Sequence, residues 1–253
     1  MINVRRLYQQ EWHGIRFDSF AEVSSSHLAN GEFYKLFYSV FFKKYRNWQE
    51  LDENWVKLKK ETMNFIKNRI GSDKNKSILS IGCGLGLIEG WLVEDGYENL
   101  EISEISEIPI SWISQKIPTE KRHIGLFPAC VPENRKYDYI LLVAVEYFYN
   151  DKELRKFLAD VKNLLVPSGT CLLISFPDED NGLLYLMIDT AKEYLKRILG
   201  VLGLRNIGQF WGYVRTPAEL EASMKSAGFN DVTGTFIDTN TSWKNYSVVG
   251  RNN

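Results

Sequence analysis

The chain has 253 residues, enough for one large domain with an appendage, and 44% apolar with 25% charged residues is the composition of a packed globular protein rather than a disordered or fibrous one. Lys+Arg total 31 against 32 Asp+Glu, so no global field draws the molecule to nucleic acid or to an anionic bilayer. Three cysteines without CxxC spacing (Cys83, Cys130, Cys171) and three scattered histidines exclude a disulfide scaffold and argue against a metal site.

The opening residues MINVRRLYQQEWHG have no apolar stretch of the secretory kind, and no apolar run approaches the ~18 residues of a membrane helix. A cytoplasmic protein with no membrane span and free thiols is expected. Residues 1–76 carry 14 Lys+Arg and 9 Asp+Glu, so this part is locally basic. Within it Phe33, Tyr34, Phe37, Tyr38, Phe41, Phe42, Tyr45 and Trp48 recur at spacings of three and four, which predicts a helix over about 31–48. WVKLKKETMNFIKNRIG predicts a second helix stopped at Gly71. Residues 1–75 thus read as a helical extension. Its aromatic stripe either packs against the next domain or caps an apolar ligand.

From Lys76 onward short apolar runs alternate with helical stretches, the rhythm of an open parallel sheet wound on both faces, and 76–253 reads as one α/β domain. SILSI (77–81) predicts the first strand and 85–95 the helix after it. LEIS (100–103) predicts the second strand, a weak third lies near His123–Gly125, and YILLVAV (139–145) is the clearest buried strand. A helix over 154–165 and a strand TCLLIS (170–175) follow. An insertion at about 183–213 carries apolar residues on one helical side and is expected to lie over the ligand crevice as a helical lid. TPAELEASMKSAGF predicts a capped helix ending at Gly228, then two late strands.

Chemistry concentrates at SILSIGCGLGLIEGWL. Gly82, Gly84 and Gly86, with Cys83 between the first two, lie where a strand turns into a helix, and glycine there lets backbone approach a ligand that any β-carbon would push away. Glu104 ends the second strand 20 residues beyond Gly84, where a carboxylate can accept both hydroxyls of a ribose. A dinucleotide site would want a third glycine at 87, which is Leu87, and no phosphate loop of the G-x-x-x-x-G-K-[ST] type is present.

In order and spacing ILSIGCGLG, EIS, YDYILLVAVEYF, LLVPSGTCLLISF and TPAELEASMKSAGF resemble the class I S-adenosylmethionine-dependent methyltransferases with small-molecule acceptors, the methyltransferase-11-like group, over roughly 76–250. The resemblance implies a doubly wound, mostly parallel Rossmann-like sheet with helices on both faces. It also implies S-adenosyl-L-methionine as cofactor, with S-adenosyl-L-homocysteine as product. Gly82, Cys83, Gly84 and Gly86 would line the methionine and ribose side. Glu104 would take the ribose hydroxyls, Ile105 one face of the adenine, Leu126 and Phe127 its edge, and Val143 the neighbourhood of the sulfonium. Two departures stand out: Ser80 occupies a position often acidic in that family, and RHIGLFPACVP lacks an aspartate commonly found after the third strand.

Methyl transfer needs no nucleophile from the protein, but a general base helps a hydroxyl acceptor. Glu146, Tyr147 and Tyr149 in the fourth-strand loop and Asp178 and Glu179 after the fifth strand are the candidates, each equally readable as a loop charge or a packing tyrosine, while His123 reads more as a partly buried histidine than as a base. Trp211 and Tyr213 are placed to meet an acceptor. A catalytically silent domain of the same fold and a nucleotide-dependent oxidoreductase are the other readings, the latter disfavoured by Leu87.

Overall fold

The computed structural model describes residues 5–178, 182–239 and 244–252. The amino-terminal segment, expected to be helical, opens with three short strands, β1 (Arg6–Gln9), β2 (Glu11–Trp12) and β3 (Ile15–Arg16). Strands of two to four residues carry too few alternations to register as a period, which is why the sequence did not announce them. The helices follow: α1 (Gly31–Lys44), capped by Asn30, whose side chain accepts the Phe33 N–H at 2.9 Å, and α2 (Glu53–Ile70), capped by Asp52 and stopped at Gly71 with φ +84°. Helix α1 ends at Lys44, not at Trp48, which lies in a separate short 3-10 turn (Trp48–Glu50). The aromatic stripe splits in two. Phe33, Phe37, Tyr38 and Phe41 are buried, while Tyr34 and Tyr45 are partly covered.

His13, in the β2–β3 turn, is packed edge-on to Trp55 (ring centroids 4.8 Å) and Phe41 (5.5 Å), and its Nε2 finds no hydrogen-bond partner among the described residues. Burial is the main reason its pKa falls from 6.5 to about 4; Lys59 and Lys44 push the same way and Asp52 opposes them. A depressed histidine is neutral in the fold while the unfolded chain takes up a proton below 6.5, so this packing is fully stabilising above that pH and is lost as pH falls toward about 4. The unfolding midpoint in urea is expected to drop across that window. His13→Asn, which tolerates the local φ of +51°, should remove that part of the pH dependence. An unchanged slope in the variant would assign the acid sensitivity elsewhere.

The central sheet is built from continuous apolar runs. β4 (Ile78–Ile81), β5 (Leu100–Glu104), β6 (Arg122–Ile124), β7 (Tyr137–Val143) and β8 (Leu165–Ser175) are parallel to one another. Helix α3 (Leu87–Glu94) connects β4 to β5, and α4 (Asp151–Asn163), opened by a capping box between Asn150 and Glu153, connects β7 to β8. Beyond β8 come α5 (Gly182–Val201), β9 (Gln209–Tyr213), α6 (Pro217–Ser226) and the antiparallel strands β10 (Asn230–Ile237) and β11 (Asn245–Arg251). The spatial order is β10-β11-β8-β7-β4-β5-β6. Chain direction along the sheet reverses between β4 and β7, and the crevice outside the carboxyl ends of those two strands is where open α/β sheets bind ligands.

Successive strand residues point to opposite faces, so each strand feeds two cores. Ile78, Ile102, Leu141 and Leu172 join α1, α2 and α3 on one side; Leu79, Ile140, Leu142 and Leu173 join α4 and α6 on the other. The expected insertion holds one long helix, α5, and one short strand, β9. Strand β9 returns from α5 and pairs antiparallel with β1, Arg6 opposite Tyr213 and Gln9 opposite Gln209. The Ala29 N–H also donates to the Phe210 carbonyl at 2.9 Å.

Candidate active site

After Ile81 the backbone makes a turn in which Gly82, Gly84 and Gly86 hold φ of +66°, +56° and +67°, a region that costs any side-chain-bearing residue. A β-carbon at Gly86 would overlap the Ile113 side chain, and one at Gly82 would approach Val145 Cγ2 to 2.8 Å. Gly84 differs. Its nearest neighbour would be the Tyr38 hydroxyl at 3.6 Å, so this glycine is required by conformation and leaves space free.

Glu104, at the end of β5, holds that turn. One carboxylate oxygen accepts the Gly84 N–H at 2.9 Å and the other the Ile105 N–H at 2.8 Å, which leaves lone pairs on both oxygens for a ligand. Burial pushes its pKa up against the pull of those two bonds. Glu101, three residues earlier on the same strand, points to the opposite face, as the odd spacing requires. It is buried with His123 Nε2 at 2.6 Å and accepts the Tyr137 hydroxyl at 2.7 Å. His123 is thus a buried histidine engaged with Glu101 and is not among the residues that line the crevice.

The crevice is a cavity of about 2050 Å³. Pockets for a single small molecule usually occupy about 300 to 1,000 Å³, so two ligands fit side by side. Gly82, Cys83, Gly84, Gly86, Glu104, Ile105, Leu126, Phe127 and Val143 all line it, and so do Glu146, Tyr147, Tyr149, Asp178, Trp211 and Tyr213. Leu126 and Ile105 are exposed at the rim, whereas Phe127 rests edge-on against Phe157 (5.3 Å). Glu179 lies outside the described residues. From the expected insertion, Trp211 and Tyr213 of β9 line the cavity.

Opposite the glycine turn the loop after β7 is held rigidly. Arg215, almost fully buried, donates to the carbonyls of Glu146 (3.1 Å) and Tyr149 (2.7 Å) and to Asp151 (2.9 Å). Glu146 is 3% exposed; one of its oxygens accepts the Ser175 hydroxyl and the other has no hydrogen-bond partner among the described residues. Burial raises its pKa, with the Ser175 bond and Arg215 opposing. Asp178 is less free to act as a base, because Arg5 binds both it (3.2 Å) and Glu219. Around this end Tyr34 lies 5.2 Å from Trp211 and 5.3 Å from Phe148, and Tyr147 stacks on Phe148 at 4.5 Å.

Among the lining residues that the sequence did not assign to the site, three carry polar groups close to its centre. Tyr34 and Tyr38 come from α1, and burial raises both hydroxyl pKa values, with Tyr147 and Glu104 adding to it. Their signal was that two members of the stripe, one helical turn apart, are tyrosines and bring hydroxyls to an apolar face. Glu89 is the third. It is an acid in the apolar stretch LIEGWL, 2% exposed, and accepts the Ser80 hydroxyl at 2.6 Å. Among the described residues no cluster of His, Cys, Asp and Glu could hold a metal ion, and no helix is long and apolar enough to cross a membrane.

A sequence profile described as a methyltransferase domain matches residues 53–233. Among solved structures the chain is similar to the Burkholderia thailandensis 1,6-didemethyltoxoflavin-N1-methyltransferase with bound 1,6-didemethyltoxoflavin and S-adenosylhomocysteine, at 16% identity and TM-score 0.59, covering 92% of this chain and 94% of that one. It is also similar to the Synechocystis PCC 6803 magnesium protoporphyrin IX methyltransferase with bound S-adenosylhomocysteine (17% identity, TM-score 0.52, covering 78% of this chain and 83% of that one). A methyltransferase from Archaeoglobus fulgidus matches at 14% identity and TM-score 0.54, covering 85% of this chain and 99% of that one. Of several other structures it matches, the chain spans only 51% to 64% of the length. No curated protein matches the sequence.

Proposed function

The chain belongs to the methyltransferase-domain family, and from that premise we propose that it transfers the methyl group of S-adenosylmethionine to an oxygen or nitrogen of a small-molecule acceptor. One observation carries this reading: a positive-φ glycine turn whose middle N–H is held by the buried Glu104 faces a cavity roomy enough for a nucleoside cofactor and a second molecule. The residues present suit the cofactor. Gly84 presents bare backbone, Glu104 keeps lone pairs for two ribose hydroxyls, and Ile105, Leu126 and Phe127 offer apolar surface to a purine.

When bound, the cofactor supplies an activated methyl group, and the protein's contribution is position and charge control. Glu104 fixes the nucleoside and, through the Gly84 N–H, the turn beneath it. Tyr34, Tyr147 and Trp211 wall the space next to the reacting centre and exclude water from it. The unpartnered oxygen of Glu146 is the group best placed to accept a proton from an acceptor O–H or N–H. We further propose that the protein acts in the cytoplasm and without nucleic acid, in line with its balanced charge and free thiols.

The test is a thermal-stability titration of the full chain with S-adenosylhomocysteine and, separately, NADH, followed by mass spectrometry of a metabolite extract incubated with methyl-labelled cofactor. Stabilisation by S-adenosylhomocysteine alone, with label entering a metabolite, is the expected result. Stabilisation by NADH instead would overturn the reading.

A further inference from the structure

A surface helix ordinarily turns its apolar stripe to the core, and α5 does the reverse. Of the eleven large apolar side chains exposed among the described residues, six lie on α5 or in the turn after it: Ile188, Tyr194, Leu195, Ile198, Leu202 and Leu204, each 46% to 72% accessible. From Ile188 to Leu202 they recur at three, four and seven residues, so they form one stripe and not scattered single exposures. The opposite side of the helix is the one that meets the protein. A β-carbon on Gly200 would come to 2.9 Å from Ile207 Cδ1 and 3.2 Å from Ser25 Oγ, and Gly200 is two residues from both Ile198 and Leu202, which places it across the helix from them.

Charge frames the stripe. Lys192, four residues after Ile188 and three before Leu195, borders it on one edge, and Arg197, whose guanidinium lies 5.4 Å from the centre of the Tyr194 ring, borders it on the other. Residues 182–205 hold four Lys and Arg against two Asp and Glu, in a chain whose net charge is −1. A second copy of this chain suits such a face poorly, because a two-fold pairing would set basic border against basic border. A bilayer with anionic headgroups complements both parts: the apolar side chains enter the acyl boundary, and the long cationic ones reach the headgroups beside them.

We propose that α5 and the turn after it seat the protein on an anionic membrane surface, the helix lying in the interface with the Tyr194–Leu202 stripe facing the acyl chains and Lys192 and Arg197 at the headgroups. The contact is peripheral, since no helix among the described residues is long and apolar enough to cross. Strand β9, which follows α5, carries Trp211 and Tyr213 into the cavity wall, so the membrane contact and the cavity are neighbours along the chain. Membrane seating and methyl transfer are separable, and either can fail without the other.

Flotation of the full chain with vesicles of phosphatidylcholine alone, or of equimolar phosphatidylcholine and phosphatidylglycerol, tests this directly. Wild type is expected to float with the mixed vesicles and not with phosphatidylcholine alone, and added salt should weaken the binding. L195Q/I198Q should weaken it at least about tenfold through lost apolar burial, and K192Q/R197Q roughly tenfold to thirtyfold through lost charge. All four positions lie at the surface of α5, so both variants should keep the thermal midpoint of wild type. Absence of binding to the mixed vesicles, equal binding to both kinds, or variants that bind as wild type does would overturn the proposal. So would a concentration-dependent dimer, seen by sedimentation without vesicles and abolished by L195Q/I198Q, because a second copy would then cover the stripe.

Discussion

Gly84→Val is expected to leave the fold in place and to weaken S-adenosylhomocysteine binding by more than about a hundredfold, read by calorimetry. The first half of this expectation follows from the open space around Gly84, where an added β-carbon meets only the Tyr38 hydroxyl at 3.6 Å. The φ of +56° adds strain of roughly 1–2 kcal/mol, which a domain of this size withstands. The second half follows because the valine methyls would occupy the side from which a ligand meets bare backbone. Gly86→Ala provides the contrast: its β-carbon would run into Ile113, so that variant should lose stability as well as binding. If Gly84→Val bound the cofactor as wild type does, the glycine turn would be a packing device and the site would lie elsewhere.

Glu104→Ala should weaken the same ligand roughly tenfold to a hundredfold, the value of about 1.5–3 kcal/mol for hydrogen bonds to a charged group. It removes both the expected ribose contact and the acceptor that aligns the Gly84 N–H. Glu104→Gln, which keeps one acceptor, should lose less. Binding should also depend on pH with a definite sign. Burial raises the Glu104 pKa above its ordinary 4.5, so affinity is full where the carboxylate is ionised and starts to fall, on acidification, at a higher pH than for an exposed glutamate. An equal loss in Glu101→Ala would argue against this assignment, since Glu101 faces His123 and Tyr137 on the far side of the strand.

What the sequence made legible was whatever depends on short-range pattern. The continuous apolar run YILLVAV fell on β7, two residues out of step, the capped start of TPAELEASMKSAGF became a helix capped by Thr216, and the spacing from Gly84 to Glu104 became a hydrogen bond. Features that depend on distant partners stayed hidden. Nothing in RLYQ announces a strand until Gln209–Tyr213 is brought beside it, and nothing in Glu101 distinguishes it from Glu104 until the pleat separates them. The role of α1 lies between these cases. Its stripe was plain, but a helical face reads the same whether it packs on a sheet or walls a cavity, and only the placement of Tyr34 and Tyr38 beside Glu104 and Trp211 shows that it does both.

The pairing of β1 with β9 joins residues about two hundred positions apart, and Arg5 reaches Glu219 across 214 residues. A ribosome adds roughly 5–20 residues each second, so the first strand waits on the order of 10–40 s for its partner to be synthesised. Throughout that interval Trp12, Phe17, Phe20, Phe33 and Phe37, which end in one aromatic cluster with Trp211, have no finished surface to rest on. The aromatic cluster is therefore closed only once β9 has been made, and nascent chains cut short before Trp211 should be bound by chaperones chiefly through the segment 12–37.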